Sequence, residues 1–366
     1  MVIGCNGMEN TRLGCESSMG SKTMNKFVVS FLCVFLIPLA ASGHHSFAEI
    51  EGGADQDFIG EVVRVQWRNP HVRLSVRVME DDGTEQVWDL EGADLNSLNR
   101  AGVTGDLVEL GQIVRVAGTA STRRERYMAL SNLLLPDGRE ILMLSSEGPK
   151  WSNMVIGGRR TDHINPSEFE SVDDIFRVWT TVQSNDPDFV VDPPLTPEAR
   201  VAYEAFDPIR DDPVLRCVTP GMPEALSYIG PHPIEFAERG DGDIMLRIES
   251  DDNVRTIHMG EDASAAGQPF SPLGYSIGRW ESNDLIVTTT QINWPYFKVR
   301  GLVAAPQSQE MEIIERFTLD REAGELVYGF TARDPATFTE PVTAERYHVW
   351  RYRPGVSIQR YGCSLE

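Results

Sequence analysis

Residues 66–78 read QWRNPHVRLSVRV, and this stretch decides the fold class. Beyond the Asn69-Pro70 corner, Val72, Leu74, Val76 and Val78 alternate with His71, Arg73, Ser75 and Arg77. A period of two puts one set on a buried face and the other on an open face, as in a half-buried strand. The pattern continues on both sides. Ile59, Glu61, Val63, Val65 and Trp67 share one face of a preceding strand. Asp81-Asp82-Gly83 is a turn, 86–90 a return strand and 94–101 a short helix. Two more strands, 112–118 and 128–135, precede the Pro136-Asp137-Gly138 turn. Five short strands with one helix predict a small closed barrel of the OB type, with a small sandwich as the alternative.

Residues 147–216 differ in composition. They hold Pro187, Pro193, Pro194, Pro197, Pro208 and Pro213 among many acids. Ser171 with Asp174 offers a capping-box start for a helix through Ile175, Val178 and Trp179. Thr196-Pro197-Glu198 offers a second start, ended by Asp207-Pro208. From 217 the chain is again β. Asp251-Asp252-Asn253 separates strands 244–249 and 254–259. Residues 281–284 separate 275–280 from 285–292, 320–325 separate 311–319 from 326–333, and 347–352 is a last strand. Hairpins in series predict an antiparallel up-and-down barrel, lipocalin-like in architecture. The expected layout is therefore mainly β. Residues 1–43 are a signal peptide with an over-extended start, 44–146 the OB-like domain, 147–216 a Pro-rich connector with short helices, and 217–366 the antiparallel barrel.

The signal expectation rests on residues 24–47, MNKFVVSFLCVFLIPLAASGHHSF. Lys26 begins it, 27–39 is apolar, and Ala41-Ser42-Gly43 are the small residues a signal peptidase reads. Met24 is a natural start. The apolar run is shorter than the roughly 20 residues a spanning helix needs, so no membrane span is expected once it is removed. Cys33 follows Leu32 rather than a small residue, which argues against lipidation. The expected location is periplasmic or secreted. The formal charge of −22 repels nucleic acid and anionic lipid and fits an exported protein.

Cleavage after Gly43 leaves two cysteines, Cys217 and Cys363, and one disulfide is the simplest outcome in an oxidising compartment. It also makes His44 the first residue, with a free amine and an imidazole that together chelate a soft or borderline metal such as copper. His71 lies out of phase with the apolar face and is the nearest further histidine after His44 and His45; Trp67 and Met79 are candidates for soft or cation–π contacts. The plain alternatives are a solvated tail and an ordinary rim residue. A second candidate is a pocket inside the large barrel. Arg255 shares a face with Ile257 and Met259, Glu315 with Ile313 and Phe317, and Gln291 with Leu285 and Val287. Buried charge marks either a ligand site or a structural ion pair. With the opposite register His258 enters instead. Trp294-Pro295-Tyr296-Phe297 reads as a lid or a plug at the barrel mouth. Gly274-Tyr275-Ser276-Ile277-Gly278 matches G-x-S-x-G, with Asp334 and His348 downstream. A strand follows where a nucleophile elbow needs a helix, so this motif carries no hydrolase. Phosphate loops, HExxH and EF-hand patterns are absent.

The HHSF run, then Trp67-Arg68-Asn69-Pro70-His71, then Trp88 with Leu90-Glu91-Gly92, resembles an uncharacterised exported bacterial family, domain of unknown function 6152, over about 44–140. In the second half, Cys217 with Pro220-Gly221-Met222-Pro223, residues 255–259, 278–281 and 334–339 resemble other exported proteins of unknown function. These resemblances imply location and layout, and no chemistry. The expected function is an exported two-domain β protein that binds a small molecule or metal ion, copper foremost. The alternatives are an enzyme using the barrel pocket and an envelope structural or assembly protein.

Overall fold

The computed structural model describes residues 49–50, 52–80, 82–144, 148–158, 170–184, 193–227, 232–299 and 304–365. The signal segment and the expected metal ligands His44 and His45 lie outside them.

The chain folds into two β-barrels. The first holds β1 (Asp55–Gln66), β2 (Arg73–Met79), β3 (Glu85–Glu91), β4 (Ile113–Ala120) and β5 (Tyr127–Leu134), with helix α1 (Leu95–Arg100) between β3 and β4. Neighbours are antiparallel except β3 and β5, whose parallel pairing closes the ring in the order β1-β2-β3-β5-β4. This is the expected OB-type barrel. Short strands β6 (Glu140–Leu142) and β7 (Val155–Gly157) extend the sheet from β5. Val72, Leu74 and Val76 point inward as the alternation requires. The preceding strand does not keep one phase. Ile59 is 61% exposed while Val62 is fully buried. A bulge between Val62 and Arg64 inserts one residue and turns the face over. Asp94 caps α1 by accepting from the Ser97 amide at 2.8 Å.

The second barrel closes from nine strands among the described residues. They are β8 (Val178–Ser184), β9 (Ile234–Glu238), β10 (Ile244–Ile248), β11 (Asn253–His258), β12 (Tyr275–Glu281), β13 (Asp284–Thr290), β16 (Glu312–Asp320), β17 (Glu325–Arg333) and β18 (Val342–Tyr352). A two-stranded ladder, β14 (Tyr296–Phe297) with β15 (Ala305–Pro306), stands apart. The hairpins β10–β11, β12–β13 and β16–β17 lie within a residue or two of their expected places. The strands follow one another round this ring in chain order, as expected, but strict up-and-down alternation could not close it. Every antiparallel neighbour reverses the chain direction, so a ring with an odd number of strands needs a parallel pair. In the large ring that pair is β11–β12, joined by the long connection 259–274, since parallel neighbours cannot share a tight turn.

Two elements depart from the local sequence signal. Ser171 and Asp174 start no helix. The Asp174 carboxylate accepts from the Phe176 amide at 2.9 Å, forming a local turn, and the chain then enters β8. Trp179, fully buried, fills the barrel, and β8 closes the gap between β18 and β9. Thus a stretch expected in the connector is a barrel strand. Thr196 does cap α2 (Pro197–Ala205), and Asp207 caps the short α3 (Pro208–Asp211). The barrel interior is packed with rings: Phe236 lies 5.2 Å from Phe317, Phe317 5.0 Å from Tyr328 and Tyr328 5.8 Å from Trp350. Cys217 and Cys363 are joined as expected.

Among the described residues, no strand of one barrel pairs with a strand of the other. Their contact centres on Glu249, which is fully buried. It accepts from Asn96 Nδ2 at 3.0 Å, from Arg100, and from the Gln359 amide at 2.8 Å. His232 Nδ1 lies 3.2 Å away, and its Nε2 is 3.7 Å from Asp94. Burial pushes the Glu249 carboxyl up, but His232, Arg100 and the two amide donors outweigh it and hold the group at about 2. Burial pushes His232 down; Asp94 and Glu249 overcome this and raise it.

Glu249 therefore adds stability that is present above 4.5 and lost as pH falls toward about 2. His232 adds stability present below 6.5 and lost as pH rises through its raised value. Urea unfolding of Glu249→Gln at pH 6 is expected to show a loss of about 3 kcal/mol, because Arg100 and His232 lose their charge partner. The loss should shrink as pH falls toward 2. An unchanged midpoint at pH 6 would show that the carboxylate does not hold the barrels together.

Candidate functional site

Three strand ends converge at one end of the small barrel. His71 sits past the Asn69-Pro70 corner, just before β2. Glu91 is the last residue of β3 and lies opposite Arg73 in register, and Tyr127 opens β5 beside Asp89. Their side chains meet. Glu91, only 9% exposed, lies 3.0 Å from His71 Nδ1 through Oε1. Its Oε2 accepts from Arg73 Nη2 at 2.8 Å and from the Tyr127 hydroxyl. Burial raises the Glu91 carboxyl, but His71, Tyr127 and Arg73 pull it down to about 2. Burial lowers His71, and the Glu91 hydrogen bond and charge more than offset this, raising it. Burial and the Glu91 charge keep the Tyr127 phenol neutral and donating.

The network continues toward the start of the chain. The Arg124 guanidinium lies 3.2 Å from the centre of the Tyr127 ring. It also forks onto Glu49, with Nε to Oε2 at 2.7 Å and Nη2 to Oε1. Ser121 Oγ donates to Glu49 Oε2 at 3.0 Å, and the Thr122 amide donates to its carbonyl at 2.6 Å. The chain's first described residue is thus fixed by contacts that run unbroken to His71.

This geometry sets what His71 can do. Its Nδ1 faces a carboxylate, which fixes ring orientation, and its side chain is 31% exposed. No other hydrogen bond or ion pair reaches it among the described residues. That leaves Nε2 for a ligand, the arrangement typical of a metal-binding histidine with a carboxylate behind it. Glu91 was not assigned from spacing; the cross-strand opposition of Arg73 and Glu91 is the signal that could have found it. Met79 is not part of this group. It lies at the far end of β2, roughly 26 Å along an extended strand. Trp67 faces Gly105, whose added Cβ would come within 2.9 Å of its ring.

The large-barrel candidates lie elsewhere and separate into groups. Arg255 and Glu315 are both buried and paired through both oxygens, Nη1 to Oε1 at 2.9 Å and Nη2 to Oε2. Arg255 Nε donates to Ser276 Oγ at 2.8 Å and Nη2 to Thr289; the Tyr328 hydroxyl donates to Glu315 at 3.2 Å. The hydrogen bonding of this pair is spent within the barrel, as in a structural ion pair. His258 is on the outer face, stacked 4.4 Å from Tyr275 with Nδ1 2.7 Å from Asp243. Gln291 leaves the inner face because β13 ends at Thr290. It adopts a φ of 57° and donates to Ala265 O at 3.4 Å. Trp294 is buried and donates to Glu224 Oε2 at 3.1 Å. Ser276 is committed to Arg255 and Thr289 on a strand, and Asp334 accepts from Ser308, Ala336 and Thr337. The G-x-S-x-G run builds no nucleophile.

Fold and site together define a two-barrel β protein with a carboxylate-backed histidine at the rim of its OB-type barrel. Residues 33–127 match the model of a family of unknown function, DUF6152. This span includes His44, His45, His71 and Glu91 and ends at Tyr127. No curated protein and no solved structure matches the chain. No helix among the described residues is long and apolar enough to cross a membrane, and these residues alone hold no preformed group of three metal-binding side chains.

Removing Glu315 should strand Arg255 in the barrel. Glu315→Ala is expected to cost about 3–5 kcal/mol in urea unfolding, and a joint Arg255→Met, Glu315→Leu variant to recover most of it. Equal stability of Glu315→Ala and the parent would mean that water reaches the guanidinium.

Proposed function

We propose that the protein is exported and binds a metal ion, with copper favoured, through His44, His45 and His71. The observation that carries this reading is the His71–Glu91 pair, an oriented and accessible imidazole with Nε2 uncommitted. Reach supports it as well. Glu49 is anchored on the network behind His71, and the five-residue step back to His44 spans up to about 17 Å when extended. The amine and imidazole of His44 form a chelate copper favours over zinc, and His71 supplies a further nitrogen. Glu91 would hold the His71 tautomer and raise its basicity. The internal pairing of Arg255 with Glu315 gives no comparable support to an enzyme site inside the large barrel.

Copper(II) titration of the protein beginning at His44 is expected to give one site per chain. Glu91→Gln should weaken it about 10–100-fold, the usual effect of losing the group behind a metal-binding histidine. His71→Ala should weaken it further. One residue added before His44 replaces the amine with an amide and should weaken binding too. Equal uptake by the parent, the extended protein and His71→Ala would refute the site.

A further inference from the structure

The tail 359–365 lies between the barrels, and nearly all of its polar contacts use its backbone. On the small-barrel side, Asn69 Nδ2 donates to Tyr361 O at 2.6 Å and Asn69 O accepts from the Ser364 amide at 3.2 Å. Asn96 Nδ2 donates to Arg360 O at 3.4 Å, and Arg68 Nη2 to Leu365 O at 3.1 Å. On the large-barrel side, Asp252 accepts from the Tyr361 and Gly362 amides, each at 2.8 Å. These contacts read no side-chain identity. Asn69 is itself fixed, because its Oδ1 accepts from the Leu95 amide at 2.7 Å. The corner and α1 therefore form a preset grip for an extended peptide.

The Gln359 amide is held more firmly, by the buried Glu249 at 2.8 Å, so the releasable part of the tail begins at Arg360. Gln359, Arg360, Gly362, Ser364 and Leu365 are exposed, and Tyr361, with its ring 5.5 Å from His232, is the one aromatic anchor. Backbone hydrogen bonds near solvent contribute little net, while ordering a terminal segment is costly in entropy. The covalent restraint is the Cys217–Cys363 bond, which spans 146 residues of sequence. Both cysteines are only half-buried.

We propose that the Asn69-Pro70 corner with Asn96 is a peptide-backbone binding site, that this chain's own tail is its occupant, and that the disulfide is the latch that keeps it there. A dithiol reductant opens the latch. One thiolate attacks a sulfur of the bond, and the bonding pair leaves on the other sulfur, which takes up a proton. The second thiol then resolves the mixed disulfide, so two cysteine thiols form as the dithiol becomes a disulfide. The freed tail leaves and the corner is open to another extended segment.

The test is hydrogen exchange on the full protein, oxidised, reduced by dithiothreitol under native conditions, and reoxidised. The amides of Tyr361, Gly362 and Ser364 are expected to exchange about ten-fold faster or more after reduction, and to recover on reoxidation. Amides of β11 and β16 should not change. Cys363→Ser should match the reduced protein. Asn69→Asp, which keeps the acceptor for Leu95 and loses the donors to Tyr361 O and Asn96 Oδ1, should speed tail exchange most once the bond is open. Unchanged tail protection on reduction would overturn the proposal, since the non-covalent contacts would then suffice. Loss of protection throughout the large barrel would overturn it too, because the bond would then be a staple of that fold.

Discussion

Glu249 is a carboxylate with no exposed surface, and an ionised carboxylate in that position persists only if partners replace its water. Here the partners come from three separate parts of the chain: Asn96 and Arg100 on the helix of the small barrel, His232 ahead of β9, and the Gln359 amide in the tail. The acid belongs to neither core alone. It can be satisfied only when both barrels and the tail are in place. Two rings that share no strand pairing are thereby made mutually dependent, and the dependence is directional in a way that a buried apolar patch is not.

Closure imposes the second constraint. Five strands and nine strands are both odd numbers, so each ring carries one parallel pair, β3–β5 and β11–β12. Local pattern cannot reveal these pairs. The hairpins were legible because alternation and turn residues act over a few positions: Val72 to Val78 and the Asp251-Asp252-Asn253 break fell where expected. What was not legible depended on closure. β8 resembled a capped helix because Ser171 and Asp174 satisfy a local rule, while the demand for a strand beside β18 comes from the far end of the chain. Ile59 was placed with Val63 and Val65 because a bulge leaves the period of two apparently intact in sequence while turning the face over.

The candidate site was half legible for the same reason. His71 stood out as a histidine on the open phase of a strong strand. Glu91, which gives that histidine its orientation, lies across a hairpin, and Tyr127 and Arg124 reach it only through the parallel pairing of β5 with β3. Arg255 and Glu315 were found from phase alone, since each shares a face with apolar neighbours. Their direct pairing depends on the meeting of β11, β12, β13 and β16 around one ring. Gln291 was placed by phase with Leu285 and Val287, and the phase failed because the strand stops one residue earlier.

The chemistry of the buried acids follows from an uneven choice of cations. The 33 positive side chains include only four lysines, Lys22, Lys26, Lys150 and Lys298. Arginine meets four buried carboxylates, Glu49, Glu91, Glu249 and Glu315, and at Glu315 and Glu49 it uses its fork to take both oxygens of a single acid. Lys298 is placed differently. Its ammonium is a point charge with several donors, and it lies between two buried acids, Asp212 and Glu224, 2.9 Å from the latter. Burial, and then the charge of Asp212, raise the Glu224 carboxyl well above its usual range. Trp294 Nε1 donates to the same carboxyl at 3.1 Å, which opposes that rise. The fork grips one acid through both of its oxygens, and the point charge reaches two neighbouring acids through separate donors.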